Sequence, residues 1–171
     1  MLPASIITRA KILSRLGRTD EALAAWEETI AMLEAFGQDA YLSTVLIHVA
    51  ELWYELGDVD KALRLAADGE RLGVPADVIN YSMAASVRAR VAADRGDDED
   101  AMAFSETCTR YAMLTDFPIE HTRSHETAAH VHARAGRTGE ARAEYEQALA
   151  IYQRFGWSGD AERVRGLLEQ V

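Results

Sequence analysis

Apolar residues recur at three- and four-residue steps along almost the whole chain, with polar residues between them. Leu46, Val49, Ala50 and Trp53 share one helical face, and Ala62, Leu65, Ala66 and Leu72 share another. Between these two faces lies Leu56-Gly57-Asp58-Val59-Asp60-Lys61-Ala62-Leu63. Equivalent stretches are Leu16-Gly17-Arg18-Thr19-Asp20-Glu21-Ala22-Leu23, Arg95-Gly96-Asp97-Asp98-Glu99-Asp100-Ala101-Met102 and Ala135-Gly136-Arg137-Thr138-Gly139-Glu140-Ala141-Arg142. Their glycines stand 40, 39 and 40 residues apart. Self-similarity at a fixed period of this length predicts a repeat solenoid of helix pairs.

Each stretch reads as the turn within a helix pair. The glycine can take a left-handed conformation and end the first helix. A polar residue two or three places later can cap the second, which nominates Thr19 or Asp20, Asp60, Asp98 and Thr138. Ala22, Ala62, Ala101 and Ala141 hold one register, where a methyl group lets antiparallel helices approach closely.

The same reading places the first helices of four repeats at about 4–16, 39–56, 76–94 and 119–135, and the second at 20–36, 60–72, 98–114 and 139–155. Gly73-Val74-Pro75 stops the fourth helix, and Pro118 suits a first helical turn. Gly69 lies inside a helix, where it costs about 1 kcal/mol relative to Ala, so it marks the close approach of a neighbour. A last helix at 158–170 turns Ala161, Val164, Leu167 and Leu168 inward and is placed to cap the array. The N-terminal margin is only Met1-Leu2-Pro3, with no polar cap ahead of Ile6, Ile7, Ala10 and Leu13. The expectation is an array capped at one end, either a fragment or a protein whose first helix packs on something else.

On Leu16-Gly17 with Asp20-Glu21-Ala22, Leu56-Gly57 with Ala62, Gly96 with Ala101 and Gly136 with Glu140-Ala141, the chain resembles the tetratricopeptide family of helix-turn-helix repeats. Trp26 and Tyr145 also fit its second-helix pattern. The resemblance covers about residues 3–156. It departs in a period longer than the family's usual one and in lacking the proline that commonly closes a repeat. It implies an all-α, right-handed solenoid: a single domain over 1–171, with repeats at about 3–37, 38–75, 76–117 and 118–156 and a capping helix at 158–170. A second resemblance rests on Arg137-Thr138-Gly139-Glu140-Ala141, Tyr145, Ala148-Leu149-Ala150-Ile151-Tyr152, Phe155-Gly156 and Ala161-Glu162-Arg163-Val164-Arg165. This segment is similar to the C-terminal repeats of large bacterial signalling proteins that carry an ATPase. It implies a regulatory arm with the chemistry elsewhere.

Composition narrows the partner. The formal net charge is −10, which argues against binding a phosphate backbone. The single Cys108 excludes an intramolecular disulfide, and its register, shared with Thr29, Gly69 and Ala148, points to a buried structural thiol. There is no secretory signal and no run approaching the about 20 apolar residues of a membrane span, so the expected location is cytoplasmic.

In tetratricopeptide arrays the first helices line a concave groove. Carrying the register across gives one groove-facing column of Lys11, Glu51, Arg90 and His130, and a second of Thr44, Met83 and Arg123. A third holds Ile7, Ile47, Ser86 and Glu126, and Tyr54 lies beside Glu51. The adjacent column, Ile12, Leu52, Val91 and Val131, is apolar. Polar groups of both signs can read a peptide's charge and backbone; the plainer alternative is a solvated helix face with self-paired charges.

A rival chemistry uses the histidines. His121 and His125 are four apart, His132 follows on that face, and Glu120 or Cys108 could complete a zinc site. Against it, His125 and His132 occupy the columns of Leu46 and Trp53, which makes them packing histidines with hydrogen bonds to the last helix. The sequence carries no phosphate loop, nucleophile elbow or paired acid/base motif. The expected function is therefore a non-enzymatic scaffold, without cofactor or metal, binding a peptide or protein segment in its groove. The alternatives are a ligand-sensing regulatory arm and a homodimer through the uncapped first helix.

Overall fold

The computed structural model describes the backbone from Pro3 to Val171 and side chains from Ile6 onward. The Met1-Leu2 margin lies outside the described residues. Nine helices and no strand are found among them: α1 (Pro3–Arg15), α2 (Thr19–Ala35), α3 (Asp39–Glu55), α4 (Val59–Leu72), α5 (Val78–Arg95), α6 (Asp98–Ala112), α7 (Pro118–Arg134), α8 (Thr138–Arg154) and α9 (Ser158–Leu168). The contacts gather into two compact units, Met1–Asn80 and Tyr81–Val171. In the first unit α1 packs on α2, α2 on α3 and α3 on α4, and in the second α6 packs on α7, α7 on α8 and α8 on α9, as in a helical-repeat solenoid.

The repeated glycine sets the turn. Gly57 has φ +84, its N–H donates to the Tyr54 carbonyl at 3.0 Å, and the Asp58 N–H donates to the Trp53 carbonyl at 3.0 Å. That pair of bonds is the Schellman ending of a helix, and it recurs at Gly17, Gly37, Gly96, Gly136 and Gly156. Five residues after the glycines, Ala22, Ala62, Ala101 and Ala141 are fully buried.

The expected caps are corrected. The N-caps are the residues directly after the glycines, Arg18, Asp58, Asp97 and Arg137, so Thr19, Asp98 and Thr138 already lie in the first turn, as do Asp20 and Asp60. Of these four caps only Asp58 accepts a hydrogen bond on its side chain, from the Lys61 N–H at 3.0 Å. The tight Schellman turn leaves one residue, not two or three, between glycine and helix.

In the first unit the core joins Ala10 and Leu13 of α1, Ala25, Trp26 and Leu33 of α2, and Leu42, Val45, Val49 and Leu52 of α3. α4 crosses α3 at Gly69, where an added Cβ would stand 2.5 Å from Ile47 Cγ1 and 2.7 Å from the Ser43 carbonyl oxygen. α5 begins two residues later than the pattern suggests, because Asp77 accepts from the Asn80 N–H at 3.3 Å and opens the helix there. Asn80 is buried and donates to Ser43 Oγ at 2.7 Å.

In the second unit one cluster joins Ala89, Ala92 and Ala93 of α5, Ala101 of α6 and Val131 of α7. Another joins Ala129, Tyr145, Ala148, Tyr152, Ala161 and Val164, so α9 seals α7 and α8. Polar pairs thread this interior: Ser86 Oγ and Thr127 Oγ1 at 2.7 Å, and Ser82 Oγ to the Cys108 carbonyl at 3.3 Å. Cys108 is fully buried, as its register with Thr29, Gly69 and Ala148 implies.

Candidate interaction surface

A three-residue register repeats on the first helices: Ala10-Lys11-Ile12, Ala50-Glu51-Leu52, Ala89-Arg90-Val91 and Ala129-His130-Val131. All four alanines are fully buried, and Leu52, Val91 and Val131 are buried too. A helix that seals residues on both sides of a polar one holds that side chain in a fixed direction at the edge of the core.

In the first unit Lys11 is exposed, and Glu51 and Tyr54 are half-buried. Glu51 Oε2 lies 3.1 Å from His48 Nδ1, and the His48 ring stacks on Trp26 at 5.9 Å between centroids. Thr44 points inward instead: its hydroxyl donates to Asn80 Oδ1 at 2.9 Å. It works with Ser43 to pin the start of α5.

In the second unit Arg90 and His130 are half-buried. His130 Nε2 lies 3.0 Å from Asp94 Oδ1, and Arg134 Nε reaches the same oxygen at 3.1 Å. Burial lowers the basicity of His130 below the ordinary histidine range, although Asp94 works against it.

The third column is corrected. Ile47, Ser86 and Glu126 are all buried, so this column belongs to the core rather than to an open groove. Glu126 is held by Arg163 of α9 through both guanidinium nitrogens at 2.6 and 2.7 Å, and accepts from Tyr152 Oη at 2.5 Å. Burial alone would raise the pKa of this carboxyl; the bonds from Arg163 and Tyr152 hold it below the usual glutamate range. The second column is corrected likewise. Met83 is 1% exposed, and the Arg123 guanidinium is desolvated until its pKa falls to about 10, with Nε 3.1 Å from Glu120 Oε2. Asp94, Tyr152 and Arg163 each lie on a different helix from the residue they meet, so the register of a single helix does not point to them. The i,i+3 spacing of Glu120 and Arg123 and of Asp160 and Arg163 was the one signal for this pairing.

The histidines do not converge. His121 Nε2 lies 2.8 Å from the Thr115 carbonyl oxygen, and His125 Nδ1 lies 2.7 Å from Glu144 Oε2. His132 Nδ1 accepts from Arg137 Nε at 2.9 Å. The bonds expected to the last helix therefore go to α8 and to the turn before it. Among the described residues, no three His, Cys, Asp or Glu side chains are grouped to hold a metal ion.

Three helix pairs carry the evidence for family. Residues 7–28, 45–68 and 122–147 match the tetratricopeptide repeat family, each match running from a first helix across the glycine turn into a second. These three helix pairs are similar to tetratricopeptide repeats. The α5–α6 pair lies outside the matched segments but has the same kind of turn, at Gly96, and the same buried alanine, Ala101. Tetratricopeptide repeats are in general protein–protein interaction modules, typically without catalytic activity. No curated protein matches the chain. Among the described residues, no helix is long and apolar enough to cross a membrane.

Proposed function

We propose that this chain is a non-enzymatic scaffold that binds a peptide or protein segment on the face presented by its first helices. Lys11, Glu51 and Tyr54 are the contacts in the first unit, and Arg90 and His130 those in the second. The observation that supports this reading is the repeated alanine–polar–aliphatic register. It aims Glu51, Arg90 and His130 from between two packed neighbours, while Lys11 stands between buried Ala10 and exposed Ile12, and the signs differ from repeat to repeat. Within each unit such a register reads the charge of a bound segment. Thr44, Arg123 and Glu126 support the face from inside and are not contacts.

The test compares partner capture by the wild type, by Glu51→Ala and by Arg90→Ala/His130→Ala, each checked for helical content by circular dichroism. A partner held by the wild type and reduced several-fold by both variants, whose binding peptide then titrates against the purified chain, supports the reading. A partner held equally by all three moves the site off the first helices and overturns it.

A further inference from the structure

The connection between α6 and α7 is unlike the glycine turns. It exposes Met113 (49%), Leu114 (67%), Phe117 (56%) and Ile119 (38%) in close succession, and Asp116 is its only charge. The packed pair of α6 and α7 flanks it on both sides in the chain. Its backbone is tied down. Thr115 Oγ1 donates to the Ala112 carbonyl at 3.0 Å and accepts from the Phe117 N–H at 3.3 Å, and His121 Nε2 lies 2.8 Å from the Thr115 carbonyl oxygen. The apolar side chains are therefore presented to solvent from a closed turn. A run of large apolar groups exposed in this way marks an interaction site.

The packing of α7 against α8 across the short Gly136 turn brings a further group to the same end of the second unit, because α8 finishes where α7 begins. Phe155 is exposed there, and its ring stacks on Trp157 at 5.4 Å between centroids. The equivalent Phe36, in the turn between α2 and α3, is exposed too, so this is a property of the turn. Two cations accompany the apolar groups. Arg110 shares a helical face with Met113 and Leu114 and lies over the Tyr111 ring at 5.0 Å, and Tyr111 stacks on Tyr81 at 5.1 Å. Arg154 lies over the Phe155 ring at 5.6 Å. Among the described residues these two guanidiniums rest on rings rather than on carboxylates. A guanidinium held on an aromatic face keeps its in-plane N–H donors for a carboxylate.

We propose that this end of the second unit docks a segment of a partner protein in which large apolar side chains are flanked by carboxylates. The apolar groups cover Met113, Leu114, Phe117 and Phe155, and the carboxylates meet Arg110 and Arg154. The local charge selects this occupant: in a chain of net charge −10, the exposed cations here stand beside the apolar turn. The same net charge repels an anionic lipid surface. The ring-stacked guanidiniums are already oriented, which lowers the ordering cost of binding. This surface shares no residue with the register of Lys11, Glu51, Arg90 and His130.

The test uses two labelled peptides with the same leucine and phenylalanine residues, one interspersed with glutamates and one with lysines, titrated against the full chain by fluorescence anisotropy. Nonspecific attraction to a chain of net charge −10 would favour the lysine peptide, so the opposite preference reads the local surface. The expected result is binding of the glutamate peptide at least about tenfold tighter. Arg110→Glu/Arg154→Glu inverts that preference, and Leu114→Ser/Phe117→Ser weakens the glutamate peptide by a similar factor. Circular dichroism checks the folding of each variant, and Leu114→Ser alone, at the most exposed of these positions, replaces the double variant if that one loses helix. No binding of the glutamate peptide, equal affinities, or a preference untouched by charge reversal overturns the proposal. So does co-sedimentation with anionic lipid vesicles that Leu114→Ser/Phe117→Ser abolishes, because that result assigns the surface to a membrane. A dimer in sedimentation equilibrium that the same variant abolishes overturns it as well, by assigning the surface to a second copy.

Discussion

Arg163 of α9 grips Glu126 of α7 across 37 residues of sequence, with both guanidinium nitrogens within 2.7 Å of the carboxylate. Glu126 is 7% exposed, whereas the Arg163 side chain is about half exposed (48%). Arg163→Ala leaves the buried carboxylate with its bond from Tyr152 but without its cationic partner, and α9 loses its polar anchor. The expected cost is about 1–3 kcal/mol, below the full value for a buried pair because solvent already screens the arginine. Urea denaturation measures it, and hydrogen exchange should show α9 opening first.

The same carboxylate makes stability depend on acid. Its folded pKa lies below the ordinary glutamate value, so the unfolded chain takes up its proton first as pH falls. The contribution is complete above the unfolded glutamate pKa and disappears as pH drops through the folded one. Denaturant midpoints followed downward from neutral pH should fall, with a shallower slope in Glu126→Gln. Identical slopes would mean the pair adds nothing.

Gly69 and Gly166 should respond oppositely to alanine. At Gly69 the new Cβ meets Ile47 and the Ser43 carbonyl oxygen, an overpacking of about 1–3 kcal/mol that outweighs the helix propensity gained. At Gly166 nothing lies within 4 Å, so Gly166→Ala should stabilise by up to about 1 kcal/mol. Thermal melts of the two variants decide it, and a stabilised Gly69→Ala would refute the close crossing of α3 and α4.

Asp58→Ala removes a side-chain cap and should cost about 1 kcal/mol. Asp97→Ala, at a position without a side-chain cap bond, should cost less. The comparison is one pair of melting temperatures.

Cys108 should be inert in the folded protein. Burial pushes its thiol up to about 11, so almost no thiolate exists near neutral pH. A thiol reagent at mildly alkaline pH should label it only in step with unfolding in denaturant. Rapid labelling of the native chain would show that the α5–α6 interior opens.

His130 should titrate below an ordinary histidine, since burial disfavours its charged form. Asp94→Asn removes the group that favours the charge and should lower the pKa further. Proton NMR of the ring reads both values; an unchanged or raised value in the variant would detach Asp94 from His130.

The division between sequence and fold follows the range of the forces. Helix bounds came out within two residues, and the glycine turns, the sealed alanines, the close approach at Gly69 and the buried Cys108 were all legible. Each depends on backbone geometry or periodicity among contiguous residues, and the repeat states the pattern several times. The capping residues stand a position or two earlier than the polar pattern suggests, because the one-residue spacing is a property of the closed Schellman turn.

The side-chain partners belonged to the tertiary structure. Column alignment treats every repeat as having the same neighbours, yet Glu126 meets Arg163, Thr44 meets Asn80, and Ile12 has no preceding helix among the described residues. A polar residue's role depends on what packing places within 3 Å of it, and that distance is set across tens of residues. The sequence by itself therefore determined a helical repeat and the register of its polar column. Only the folded chain decided which members of that register face outward and which are consumed inside.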